Sequence, residues 1–248
     1  MHRFYLAPEQ WHPDALVLTG SEAHHCRNVL RLDPGDKVVV FDGYGREITA
    51  EITSAVGAQI QLRKLHEAQT PPLRCRITLG QAIPKGKNMD LIVQKAAEIG
   101  AAEIAPILSD RTVVRLDEES AASKQSKWQA VAIEAAKQCG QNWLPQVRTP
   151  QSLAQFFQEH RRFDLQLIGS LQSDAVHLKK ILAEYLAEHG DRPASVLMLV
   201  GPEGDFTPAE LSLARSQGCR PITLGPIVLR VETASIYCLS VLSYELLV

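Results

Sequence analysis

Val196-Leu197-Met198-Leu199-Val200 is an unbroken apolar run, and Gly201-Pro202-Glu203-Gly204-Asp205-Phe206 follows it directly. A short run without polar alternation reads as a strand buried on both faces, as in a parallel sheet. Thr207-Pro208-Ala209-Glu210 then opens a helix, with Thr207 and Glu210 spaced as a capping box and proline at the first helical position. In a parallel sheet, such a strand–loop–helix places its loop beyond the carboxyl end of the strand, where ligands bind. Two glycines let backbone atoms approach a ligand closely, and a carboxylate between them exceeds what a turn requires. Taken alone, however, the loop is explained equally well as an ordinary strand-to-helix turn.

The same rhythm extends in both directions. Ile77-Thr78-Leu79 reads as a strand, and residues 88–99 as a helix with Met89, Ile92, Val93, Ala96 and Ile99 on one side. Ile104–Leu108 is a short strand, 120–139 a helix, Phe163–Ile168 a strand, 175–188 a helix and Ile222-Thr223-Leu224 a strand. This alternation predicts an α/β fold around a mostly parallel sheet covered on both faces. A second loop, Gly225 to Ala234, carries Ile227, Val228 and Leu229, which suit an apolar pocket wall, and then Arg230 and Glu232. A structural ion pair at a helix start is the competing explanation for those two charges. From Thr233 to Val248 the chain has almost no polar helical face, which predicts burial in a core or in a subunit interface.

Residues 1–70 have a different texture. Phe4-Tyr5-Leu6, Leu16-Val17-Leu18 and Lys37–Phe41 are short β runs; Asp42-Gly43 is a hairpin signal, and Ile48, Ala50 and Ile52 alternate after it. Ile60, Leu62 and Leu65 continue the β character. One helix is expected, capped by Ser21 and running to Arg31. A small β-barrel with an inserted helix fits. Thr70-Pro71-Pro72 reads as a linker, giving a domain over 1–70 and another over 74–248.

Composition narrows the function classes. At 248 residues and a net charge of −2, neither part is a basic domain. Cationic residues cluster only from Arg74 to Lys95, where Arg74, Arg76, Lys85, Lys87 and Lys95 face Asp90 alone; a solvated helix face is the bland account. No apolar run approaches the roughly 20 residues of a membrane span, and no signal-peptide core follows Met1, so a cytoplasmic protein is expected. The five cysteines are odd in number, dispersed and without a Cys-x-x-Cys pair, which argues against disulfides and structural zinc. No metal is expected.

Taken together, the motifs resemble a known family. Gly-Pro-Glu-Gly at 201–204, Leu224-Gly225-Pro226 and Val228-Leu229-Arg230-x-Glu232-Thr233-Ala234 are similar to the SPOUT class of methyltransferases. More narrowly, the chain resembles the family that methylates N3 of a uridine in 16S ribosomal RNA. Four further segments fit in the same order: Arg3-Phe4; His24-His25 with Val29-Leu30-Arg31 and Gly35-Asp36; Lys87–Asp90 through Gly100; and Lys127-Trp128 through Glu134–Gly140. Three positions depart from the family pattern. Asp205 stands where a second glycine is usual, Ile227 where arginine is common, and Gln141 where arginine often follows Gly140.

The resemblance implies a C-terminal trefoil knot holding bent S-adenosylmethionine, a homodimer, and an N-terminal PUA-like β-barrel that binds RNA. The cofactor pocket would draw on Ile168, Gly169, Leu199, Val200, Gly201, Pro202, Glu203, Gly204, Leu224, Gly225, Pro226, Val228, Leu229, Arg230, Thr233 and Ala234. RNA contacts are expected from Arg3, His24, Arg27, Arg31, Lys85 and Lys87, with Arg27 and Arg31 sharing one helix face. The partner would be 16S RNA or the small ribosomal subunit. Uridine N3 is a weak nucleophile until its proton leaves, and the resulting anion spreads over O2 and O4. Glu203 and Glu232 are therefore the candidate bases and Arg230 the candidate stabiliser.

Two other classes compete. Gly80 to Asn88 evokes a phosphate loop, but five residues separate its glycines and Asn88 replaces the Ser/Thr that binds magnesium. A non-catalytic RNA-binding module is opposed by the Glu203, Arg230 and Glu232 set. His24-His25 suggests metal only weakly, because adjacent helical residues point about 100° apart.

Overall fold

The computed structural model describes residues 1–112, 116–159 and 161–247. Its backbone contacts divide into two compact units: Met1–Pro72 with Ile133–Leu144, and Leu73–Ala132 with Pro145–Val248. The segment 133–144 thus joins the N-terminal unit, although in sequence it lies far beyond the prolines at 71 and 72.

The N-terminal unit comprises β1 (His2–Tyr5), β2 (Leu16–Leu18), α1 (Gly20–His24), β3 (Lys37–Phe41), β4 (Arg46–Val56) and β5 (Gln59–Gln69). These strands form one sheet in the order β1-β3-β4-β5-β2, antiparallel except for the β1–β3 pair. The β3–β4 turn needs Gly43 and Gly45, whose φ values of 79° and 92° lie in the left-handed region. Ile48, Ala50 and Ile52 are buried as their alternation predicts, together with Phe4, Leu16, Leu18, Val38, Val40, Ile60 and Leu62.

Two local expectations fail here. Leu65 lies in β5 as its β character predicts, but the β4–β5 register slips between Thr49 and Ala50 and leaves it as the exposed extra residue of a bulge, away from the core that Ile60 and Leu62 join. The helix expected from Ser21 to Arg31 is shorter: Thr19 precedes α1 without a side-chain cap, and the chain widens into a π turn over His25–Val29. Arg31 then adopts a left-handed φ of 55°. Arg27 and Arg31 therefore share no helical face, and the Arg27 guanidinium donates to the Gly57 carbonyl at 2.7 Å.

The second unit comprises β6 (Arg76–Ala82), α2 (Asn88–Ile99), β7 (Glu103–Leu108), α3 (Glu118–Cys139, its last residues in the other unit), β8 (Gln146–Val147), β9 (Gln151–Ser152) and α4 (Leu153–Gln158). It continues with β10 (Leu165–Gly169), β11 (Val176–His177), α5 (Leu178–His189), β12 (Ser195–Val200), α6 (Pro208–Ser216), β13 (Arg220–Thr223) and α7 (Val231–Leu246). The strands run parallel in the order β11-β13-β10-β12-β6-β7-β8, with β9 also pairing β7. β12 lies between β10 and β6, so both its edges are paired, and Val196–Val200 are all buried, as a strand covered on both faces requires.

Sequence dictates several of these boundaries. Thr207 and Glu210 form the reciprocal capping box that starts α6. Ser152 and Gln155 do the same for α4, a helix absent from the sequence reading although its Ser-x-x-Gln signal was present. Gly80 lies inside β6, where a Cβ would collide with the Leu199 side chain. It is a packing glycine in a strand, which removes the phosphate-loop reading. In α7, one face is core: Ala234, Ser235, Cys238, Leu239, Leu242 and Leu246 are buried, while Tyr237 and Tyr244 are exposed. Val248 lies outside the described residues. Cys75, Cys219 and Cys238 are buried, and desolvation pushes each thiol up to about 12, beyond the reach of ordinary thiolate chemistry.

Candidate active site

β13, β10 and β12 are consecutive neighbours and end side by side. The loops that follow them, with the first turn of α7 and Asn88 at the start of α2, line a cleft of about 720 Å³. This size suits a cofactor or drug-sized ligand. The loops singled out in the sequence thus meet across adjacent strands of one sheet.

Of the residues assigned to the cofactor, Gly169, Val200, Gly201, Pro202, Glu203, Leu224, Gly225, Pro226, Val228, Leu229, Arg230 and Ala234 line the cleft. Ile168, Leu199, Gly204 and Thr233 do not. Ile168 and Leu199 are strand residues turned into the core beneath it, the Gly204 carbonyl accepts from the Arg111 guanidinium, and Thr233 is exposed on α7. Ser170, Leu171, Gln172, Asp205, Thr223, Ile227 and Val231 also line it, beside Asn88 and Glu232.

Backbone demands explain the glycines. Gly225 has a φ of 113°, closed to ordinary side chains. A Cβ on Gly201 would lie 3.2 Å from both Asp205 Oδ1 and the Phe206 ring. Asp205 is itself left-handed, with a φ of 61°, and its Oδ1 accepts from the Phe206 N–H at 2.8 Å. This departure from the family pattern therefore falls where glycine is conformationally favoured, and aspartate is among the few residues that tolerate the position.

The charged groups are held differently. Glu203 Oε1 accepts from the Lys85 backbone N–H at 2.9 Å. Glu232 Oε2 accepts from Asn88 Nδ2 at 3.2 Å. Arg230 precedes α7 and is exposed, and its guanidinium has no hydrogen bond or ion pair with any described residue. The Arg230–Glu232 ion pair considered above is thus not formed. At the lip, Leu171, Ile227 and Val228 are 66%, 73% and 72% exposed, an apolar rim around a site whose cation is unpaired. Below it, Ser235 on α7 is fully buried and donates to Gln81 of β6, tethering the helix to the sheet.

The residues expected to face RNA divide into two groups. His24, Arg27, Arg31, Lys85 and Lys87 are exposed. Arg3 instead turns inward. It pairs with Glu47 at 3.2 Å, donates to Asn142 and lies 5.1 Å from the Phe41 ring centroid. His25 faces the buried Lys137 ammonium at 3.3 Å, and that ammonium also pairs with Glu22 at 3.1 Å and Glu134 at 2.8 Å. The His24-His25 and Glu134–Gly140 segments read as separate motifs in the sequence, and only the fold shows that His25, Glu134 and Lys137 meet. Among the described residues, no three His, Cys, Asp or Glu side chains gather as a metal site, and no helix is long and apolar enough to cross a membrane.

An RNA methyltransferase domain model matches residues 71–243, and an RNA methyltransferase PUA domain model matches residues 18–64. The chain belongs to the RNA methyltransferase family. Ribosomal RNA small subunit methyltransferase E of Bacillus subtilis is 32% identical over 235 residues, covering 92% of this chain and 89% of that protein. A Neisseria gonorrhoeae structure of ribosomal RNA small subunit methyltransferase E bound to S-adenosyl methionine superposes with a TM-score of 0.86 at 31% identity, covering 99% of this chain and 98% of that one. A putative methyltransferase of Legionella pneumophila, in complex with the bound cofactor SAM, gives 0.87 at 34% identity, covering 98% and 97%. Within this family the α/β fold and the attached small β unit have their expected places.

Asn88 was missed as a site residue. It stands in the sequence only as part of the Lys87–Asp90 segment and as a failed magnesium ligand, and nothing local signals that it meets Glu232, 144 residues away.

Proposed function

We propose that the chain transfers a methyl group from S-adenosylmethionine to N3 of a uridine in the 16S RNA of the small ribosomal subunit. The observation that carries this reading is the convergence of three strand-end loops on one cleft that holds an unpaired arginine and two carboxylates, in a chain of this family. The cleft suits the cofactor: Gly169, Gly201 and Gly225 offer close backbone approach, and Val200, Pro202, Leu224 and Leu229 offer apolar wall. When bound, S-adenosylmethionine supplies an electrophilic methyl group, and the chain's residues have to orient the base and manage charge. Arg230 stabilises the anion that forms on the uracil as N3 loses its proton, and Glu203 or Glu232 receives that proton.

The remaining parts of the reading follow the same logic. Residues 1–70 act as the RNA-binding domain and 74–248 as the methyltransferase domain, with the C-terminal trefoil knot closing around the cofactor. His24, Arg27, Arg31, Lys85 and Lys87 hold phosphates, whereas the inward-facing Arg3 shapes the N-terminal sheet. Homodimerisation uses the outer face of α7, where Tyr237 and Tyr244 lie two turns apart and exposed. Leu239 is core, so an Asp there would unfold the chain and report nothing about a dimer. The place of action is the cytoplasm, where the substrate is assembled.

Incubating the protein with methyl-labelled S-adenosylmethionine and small subunits that lack the modification tests the reaction. Label should appear in 16S RNA as N3-methyluridine. Label at another atom, or no transfer despite cofactor binding, would refute the assignment.

A further inference from the structure

Asn88 is the first residue of α2 and Glu232 the second of α7, and these two helices pack side by side. The 3.2 Å bond from Asn88 Nδ2 to Glu232 Oε2 therefore joins two helix starts in the wall of the cleft. A carboxylate only accepts hydrogen bonds, so it fixes the Asn88 amide with its nitrogen toward Glu232. Glu232 Oε1 has no partner among the described residues. One turn further along α7, the bond from Ser235 to Gln81 fixes the same helix to β6. Glu232 thus projects from an element held at two points, with one oxygen uncommitted. Glu203 also has one oxygen bonded, its Oε1 by the Lys85 backbone N–H, but it sits on an exposed loop and not on a tethered helix.

We infer that Asn88 is a positioning residue that holds Glu232 to receive the uridine proton. This role rests on the reaction proposed above. In that step the N3–H bond breaks and its proton passes to Glu232. The N3 electron pair forms the bond to the methyl carbon, while the sulfur–methyl bond breaks and leaves its electron pair on sulfur.

Asn88→Ala and Asn88→Asp distinguish positioning from mere helix support. Asp suits a helix first turn better than Ala, because it complements the positive end of the helix dipole. If Asn88 only supports α2, Asp should be the better tolerated change. If its amide holds Glu232, Asp should be the worse, since it removes the donor and sets a second carboxylate beside the first. Thermal unfolding, calorimetric S-adenosylmethionine affinity, and kcat and KM on unmodified small subunits are measured for both. Asn88→Ala should lower kcat about tenfold or more, the scale of a lost hydrogen bond to a charged group. Asn88→Asp should lower it further, with cofactor affinity and KM within about threefold of wild type. Asn88→Gln, which keeps the donor on a longer arm, should recover part of the loss. Activity of the Asp variant at or above that of the Ala variant, or a parallel fall of rate and cofactor affinity, overturns the role. Wild-type protein that binds no S-adenosylmethionine overturns the underlying reading and this role with it. Active wild type with unaffected variants overturns the positioning role alone.

Discussion

In the N-terminal unit, Arg3, Glu47 and Asn142 pair with one another, Lys137 pairs with Glu22, and the Lys137 side chain is only 6% exposed. In the cleft of the second unit, the Arg230 guanidinium has no partner among the described residues and Glu232 keeps one oxygen free. Arg3 and Lys137, like Arg230 and Glu232, come from segments that mark the family, yet the first two are spent on internal structure and the other two face a ligand-sized space. A motif charge therefore gains meaning only once its partners are known, and substitutions in the two regions should fail in different ways.

The largest effect should come from Arg230→Ala. Its charge matters as the uracil anion develops, so single-turnover methylation should fall roughly a hundredfold or more, the scale for removing one oxyanion donor. RNA and cofactor affinities should barely move, because a group acting in the transition state leaves ground-state binding intact. Rates of the variant should recover partly at higher pH, where N3 ionises more readily. A pH–rate profile parallel to wild type under cofactor saturation would show that Arg230 only shapes the loop.

Lys137→Met tests the other side. Removing Lys137 leaves the mostly buried Glu22 carboxylate uncompensated, at a cost of about 3 kcal/mol, while the exposed Glu134 stays in water. Denaturant unfolding should show that loss, while turnover per folded molecule stays near wild type. Reduced turnover in fully folded variant would mean that the network does more than hold the unit together.

Much of this contrast was legible only in part. The C-terminal strands and the α6 start were readable because local signals agree: apolar runs, a capping box and loop glycines all point to one answer. The cleft followed, because parallel strands place their loops at the same edge. By contrast, the Leu65 bulge and the His25–Val29 π turn arise from register and packing that no short window contains. The Lys137 network likewise joins residues 115 and 112 positions apart. Ile227 and Val228 line the cleft as their apolar character suggests, but that they stand exposed at its lip is set by the loop's path, which no short window contains.

Acidity offers a subtler comparison inside the N-terminal unit. Burial raises the Glu22 carboxyl above its ordinary range despite the Lys137 ammonium beside it. Desolvation also acts on Glu47, but hydrogen bonds from Asn142 and Arg3 outweigh it and hold that carboxyl below its ordinary range. Between its unfolded and raised folded pKa, Glu22 binds more protons when folded, so its contribution to stability is lost as pH rises through that window. Glu47 binds fewer protons when folded, so its contribution is present above the unfolded pKa and lost as pH falls through the folded one. Glu22→Gln should flatten the first slope and Glu47→Gln the second. Identical pH–stability curves for the two variants would contradict the opposed signs.

Asp205 gives the smallest effect and the sharpest test of the comparison, because this cleft carboxylate behaves like those of the N-terminal unit. Its φ of 61° strains any ordinary side chain, while its Oδ1 accepts from the Phe206 N–H at 2.8 Å. Ala keeps the left-handed cost of roughly 1 kcal/mol and loses the hydrogen bond. Gly also loses the bond, worth about 1 kcal/mol, but sheds the strain. Gly adds unfolded-state entropy of about 0.4–1 kcal/mol, which offsets part of that relief. Asp205→Gly should therefore stay within about 1 kcal/mol of wild type in denaturant unfolding, with Asp205→Ala less stable than either, since only Ala keeps the strain without compensation. S-adenosylmethionine affinity should follow the same order, because the loop that Asp205 braces is the one that brings Gly201 and Glu203 to the cleft. An Ala variant as stable as wild type would mean that the aspartate does not brace the loop, leaving its carboxylate as available to a ligand as Glu232.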